Sequence, residues 1–209
     1  MSMSFEVFPT NNYIPSNEEV ITLSKKYLVE YLEKQNIYLD IRIKSETHFV
    51  QSNIIIENKG LINDETKYES FVINESGQAL VFYHIADDLL QEFWDEEIAS
   101  NIRAKALEDS INTNKNLGYS WSIKRTMGQT AIVNIYYGFL ALSIANLTDG
   151  FIYSDDGAWE YTCFPSMSYD FQKQYLNISK LQDSNIKEFI NKCLFELKTE
   201  SENEIVEKM

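Results

Sequence analysis

Residues 131–146 read AIVNIYYGFLALSIAN, and this stretch decides how the rest of the chain is read. A surface helix carries one apolar stripe, whereas this segment is apolar nearly all round. A bilayer span needs about 20 such residues, so the segment is too short for one. The expectation is a helix buried on several sides, with a sheet as its main support. Gly138 costs roughly 1 kcal/mol of helix propensity relative to alanine, which makes sense where a neighbour packs close.

The flanks supply the sheet. Upstream, YSWSIKRT reads as a strand. Downstream, Thr148, Asp149 and Gly150 stop the helix, FIYS is a short strand, and DDG is a turn in which Gly157 can supply positive φ. Further out, Phe5 to Phe8 alternates as a strand. Ser16 or Asn17 then caps a helix that carries Val20, Leu23, Tyr27, Leu28 and Tyr31 at helical spacing as far as Lys34. Strands are expected at Tyr38 to Ile43, His48 to Glu57, Tyr68 to Asn74 and Ala79 to Ala86, joined by short turn-rich connections that favour antiparallel hairpins. Asp87 or Asp88 opens the next helix, where Leu90, Trp94, Ile98, Ile102 and Ala106 repeat every four residues, and Gly118 follows as a stop. Asp183 or Ser184 opens the last helix, with Ile186, Phe189, Ile190, Cys193, Leu194 and Leu197 on one face.

These elements imply a single α+β domain over residues 1–197, with a mixed or mainly antiparallel sheet covered by three to four helices. Residues 198–209 read as a charged tail that frays. Two segments echo each other as strand, loop, helix, strand: FEVFPT through NIYLDIRI, and WSIKRT through GFIYS. No letter-by-letter repeat accompanies the echo, which favours two independent uses of a common arrangement over a duplication.

Composition narrows function. The net charge is −14, and the three arginines, Arg42, Arg103 and Arg125, are scattered. Nucleic-acid and anionic-membrane binding need clustered cations, so neither is expected as a partner. The field suits a basic protein partner, or serves only solubility. Two distant cysteines, Cys163 and Cys193, make no disulfide framework, and with His48 and His84 they are a poor metal inventory. The first residues show no charged region followed by an apolar run, so a cytoplasmic protein without cofactor or metal is expected.

Four places carry candidate chemistry. In LTDGFIYSDDGAWEY, residues 147–161, Asp155, Asp156, Trp159, Glu160 and Tyr161 form a candidate partner surface, against the plainer reading of a helix stop, a strand and a turn anchored by Trp159. His84 lies near Asp87 and Asp88, so a small-molecule enzyme or metal-dependent hydrolase using these residues, or the Asp155–Asp156 turn, is the alternative function. A structural, hydrogen-bonded histidine is the competing reading. KRTMGQT, residues 124–130, sits at a strand-to-helix junction where Lys124, Arg125 and helix amides could hold an anion, or where the chain simply turns. DDLLQEFWDEE, residues 87–97, offers an acidic helix face that is either a docking surface or a solvated one. No residue is assigned a catalytic role.

The line IANLTDGFIYSDDGAWEYTCFP, residues 144–165, resembles a recurring pattern in small uncharacterised bacterial α+β proteins. In these a buried helix ends in TxG, a short strand follows, and an acidic turn leads to a tryptophan. Some of those proteins look like cytosolic immunity proteins of bacterial toxin systems. The resemblance spans about a tenth of the chain and implies a non-enzymatic α+β protein that works by binding, such as an acidic inhibitor of a basic toxin enzyme.

Overall fold

The structure, a computed structural model, describes residues 3–50, 55–56 and 59–207. Among them, eight strands form one open sheet in the order β3-β2-β4-β5-β6-β1-β7-β8, and every pairing is antiparallel. The strands are β1 (Met3–Phe8), β2 (Ile43–Phe49), β3 (Ile55–Ile56), β4 (Lys67–Ile73), β5 (Gly77–Ile85), β6 (Tyr119–Arg125), β7 (Phe151–Tyr153) and β8 (Ser166–Met167). The helices are α1 (Asn17–Lys34), α2 (Asp88–Ser100), α3 (Ile102–Ala106), α4 (Glu108–Leu117), α5 (Ala131–Leu147), α6 (Ser168–Gln174) and α7 (Ser184–Glu207). The architecture is therefore α+β.

Helix α5 is the centre. All residues from Ala131 to Ala145 are buried. It crosses from β6 to β7, which lie on either side of β1, and it packs on the sheet with α1, α6 and α7 around it. The few polar atoms of α5 each meet a neighbour. Tyr136 Oη lies 2.8 Å from Ser24 Oγ of α1, and Tyr137 Oη donates to the Ala158 carbonyl at 3.1 Å. Gly138 has a specific reason: an added Cβ would stand 2.1 Å from the ring of Tyr175, whose hydroxyl donates to the Ile135 carbonyl at 2.8 Å.

The opposite face of the sheet is covered at one end by α2. Buried Trp94 packs edge-on against Phe8, Phe151 and Tyr153, with ring centroids 5.0–5.4 Å away.

Several boundaries differ from expectation, for physical reasons. Of the two expected caps, Ser16 or Asn17, it is Ser16 that caps α1, in a full capping box with Glu19. No strand forms at residues 38–42. There the Tyr38 N–H donates to Ser201 Oγ and its carbonyl accepts from the same hydroxyl, so a side chain of α7 takes the place of a strand neighbour. The same buried Ser201 lies beyond residue 197, and the segment read as a frayed tail is helical to Glu207. Of the strand expected from His48 to Glu57, residues 51–54 and 57 lie outside the described residues. The long helix expected from Asp87 is broken into α2, α3 and α4. Asn101 accepts from the Arg103 N–H and starts a new helix, which leaves Ile102 85% exposed instead of on the apolar stripe. This breakage, together with α6, raises the helix number above the three to four expected. The two strand–helix–strand segments are not placed equivalently: β7 pairs with β1, whereas β4 and β5 separate β2 from β6.

Glu69 of β4 is 1% exposed beneath the start of α1. Its carboxylate accepts from Thr47 Oγ1 and Asn17 Nδ2, both at 2.7 Å, and burial pushes its pKa up to about 7. Folding thus favours the protonated form. Stability from this group is complete below the ordinary carboxylate range and is lost as pH rises toward about 7, because the unfolded chain has then released a proton that the folded chain still holds. Urea titrations from pH 4 to 8 should show this fall, and Glu69→Gln should flatten it. Gly138→Ala should destabilise the fold by about 1–3 kcal/mol through overpacking against Tyr175, read as a lower urea midpoint.

Candidate functional site

The turn after β7 is built by its own carboxylates. Tyr153 is the last residue of β7 and lies opposite Glu6 in β1. Two residues on along β1, the Ser4 N–H would face a longer β7. Instead Asp156 Oδ2 accepts from it at 2.6 Å and from Ser4 Oγ at 2.9 Å. Asp156 Oδ1 accepts from the Ala158 N–H at 3.1 Å and closes the turn, in which Gly157 takes φ +82°. The chain then enters the core: Trp159 is 3% exposed, its ring 5.0 Å from that of Tyr175. Glu160 turns back and accepts from the Asp183 N–H at 2.8 Å and from the Gln182 N–H, fixing the approach to α7.

Of the five residues read as a partner surface, the structure leaves two prominently outside. Asp155 is exposed, and Tyr161 is 50% exposed. Asp156 and Glu160 are half-buried and engaged in backbone contacts, and Trp159 is a core residue. Tyr161 adds a link that the sequence did not suggest. Its hydroxyl donates to Glu97 Oε1 of α2 at 3.0 Å and accepts from Tyr153 Oη at 3.4 Å. Burial, the Tyr161 hydrogen bond and the nearby charges of Glu97 and Asp155 raise the Tyr153 pKa, so the two carboxylates share one neighbourhood.

The His84 constellation assembles differently from expectation. Asp87 Oδ1 accepts from the Leu90 N–H at 2.9 Å as the cap of α2. His84 Nε2 lies 3.0 Å from Ser122 Oγ, and Ser122 donates to Glu6 at 2.6 Å, forming a row across β5, β6 and β1. Burial lowers the His84 pKa and raises that of Glu6. Ser122 is 2% exposed, so its hydroxyl is closed to a substrate and the row serves the sheet. Among the described residues, no group of three or more His, Cys, Asp or Glu is placed to hold a metal ion.

The structure joins two stretches that the sequence singled out separately. KRTMGQT and the DDGAW turn form facing walls of a cavity of about 560 Å³, closed on its third side by α7. This lies within the size range of small-molecule sites. Arg125, the last residue of β6, lines it and is 8% exposed. Its guanidinium sits between the rings of Tyr137 and Phe189, 5.1 and 5.0 Å from their centroids. Nη1 donates to Asn134 Oδ1 and Nη2 to Met3 Sδ, both at 3.0 Å. The other side of the Asn134 amide donates to the Gln129 carbonyl, which aims its oxygen at the arginine. Cys193 also lines the cavity, and burial pushes its thiol up to about 11, so it is an un-ionised wall at neutral pH. The lone arginine in KRTMGQT was a visible signal. Tyr137 and Phe189 read only as apolar helix positions, and Tyr175 carried no signal, so all three were missed.

Removing the Asp156 carboxylate by Asp156→Ala should cost about 1–3 kcal/mol, because the Ser4 and Ala158 amides lose their acceptor. Trp159→Ala should cost about 3–5 kcal/mol as a core cavity. Asp155→Asn should stay within about 0.5 kcal/mol of the parent. Urea unfolding of the three variants checks this order. No protein-family model, no curated protein and no solved structure matches this chain.

Proposed function

We propose that the chain is a binding protein: an acidic protein that captures a basic partner protein, in the manner of an immunity-type inhibitor of a basic toxin enzyme. The observation that carries this reading is the Tyr161–Glu97 hydrogen bond, which joins the acidic turn to helix α2. The surface then runs from Asp155 across half-exposed Tyr161 to the outward side of α2, where Asp88, Glu92, Asp95 and Glu96 are exposed around Leu89, itself 72% exposed. Lys115 lies against this face and is paired with Asp95 at 2.6 Å. The arrangement supplies what a fast, tight encounter needs: like charges at the periphery to steer a cationic partner, and an aromatic and an aliphatic side chain to be desolvated on contact.

The test measures binding of the product of the neighbouring gene by surface plasmon resonance. Glu92→Gln, Glu96→Gln and Asp155→Asn combined should slow association several-fold at low salt and much less at high salt, where screening already removes the steering. Tyr161→Ala should weaken affinity by about 2 kcal/mol with little change in Tm. A neighbouring product that does not bind, or a triple variant that associates at the parent rate in low salt, would overturn the reading.

A further inference from the structure

The surface of this chain is acidic, but the cavity around Arg125 is not. We propose that the cavity around Arg125 is a binding site for a small monocarboxylate with a flat apolar body. It lies on the α5 side of the sheet, away from the face that α2 covers, and shares with the partner surface only the turn after β7.

A buried guanidinium stays charged, and burying a charge is costly unless an anion or a full set of acceptors meets it. Arg125 is more than nine-tenths buried, and among the described residues no carboxylate forms an ion pair with it. Its Nε has no hydrogen-bond partner, one Nη hydrogen goes to an amide oxygen, and one goes to a thioether, a weak acceptor. The flanking rings of Tyr137 and Phe189 ease the charge through their faces, and the Tyr137 hydroxyl oxygen also interacts with the guanidinium, but it is a neutral acceptor. The missing component is an oxygen acceptor carrying negative charge, and the cavity is the open space beside the group that lacks it.

The lining sets the class of ligand. Three charged side chains line the cavity: Arg125 inside, and Lys192 and Glu196, both exposed, on α7. Their sum is one positive charge, which matches a single carboxylate and disfavours a doubly charged phosphate. Around the arginine stand Tyr137, Trp159, Tyr175 and Phe189, and the hydroxyls of the two tyrosines are already committed to the carbonyls of Ala158 and Ile135. Their rings therefore offer apolar faces to the cavity. A carboxylate at Arg125 with a planar body against these rings completes the charge and fills the space together.

Calorimetry and thermal shift on the full chain test this with benzoate, cinnamate and indoleacetate, each beside its neutral amide. At least one acid should bind saturably and raise Tm, and its amide should bind at least about tenfold more weakly, the cost of losing a charge-assisted hydrogen bond. Arg125→Met, which keeps an apolar side chain in place, should remain folded by circular dichroism and lose the binding. Should that variant fail to fold, Ile186→Trp decides: it keeps Arg125, fills the cavity from α7, and must abolish binding. The proposal is overturned if none of the three acids binds, if amide and acid bind alike, if inorganic phosphate displaces the bound acid at the acid's own concentration, or if binding survives either variant.

Discussion

The constraint on which the structure depends is that α5 has no face fit for water. A helix buried along its length must be enclosed, and the chain meets this with the sheet beneath, α1 beside it, and α6 and α7 closing over it. Enclosure also demands that each polar atom of the helix find a partner. Tyr136 reaches α1, Tyr137 reaches the turn after β7, Tyr175 returns a hydrogen bond to the helix backbone, and Asn134 turns to Arg125. The helix is thus pinned to its surroundings at points separated by 9 to 112 residues in sequence.

Strand order follows from the same crossover. Because α5 carries the chain from β6 to β7 with β1 held between them, the loop that begins α5 and the turn that follows β7 come to the same side of the sheet. Neither stretch makes a site alone. Together with α7 they enclose a cavity whose buried member is a cation, in a protein whose surface is acidic. The two functional surfaces proposed for the chain therefore differ in sign, and they meet only at the turn after β7.

The carboxylates of the turn after β7 show how chemistry-bearing residues are divided between structure and surface. Asp156 substitutes for a strand that ends too early, and Glu160 holds the lead-in to α7. Asp155, next to Asp156, stays exposed, as does much of Tyr161. Neighbours of like composition take opposite parts because backbone N–H groups left open by the end of β7 and the start of α7 recruit whichever acceptor can reach them.

Local rules determined much of this protein. The all-apolar run at 131–146 implied a buried helix, a cap at Ser16 or Asn17 placed the start of α1, and alternation with short turns implied antiparallel pairing in the middle of the chain, because each of these signals is carried by residues a few positions apart. Tertiary structure decided what depends on distant partners. Ser201 kept residues 38–42 out of a strand, and Asn101, whose amide also donates to the distant Phe164 carbonyl, broke a four-residue periodicity that otherwise promised one helix. Most of the site belongs to this second class. The sequence marks Arg125 as one of three arginines, but its burial between Tyr137 and Phe189 without a carboxylate arises only when β6, α5 and α7 close around it, since a charge becomes chemically distinctive through what surrounds it in space.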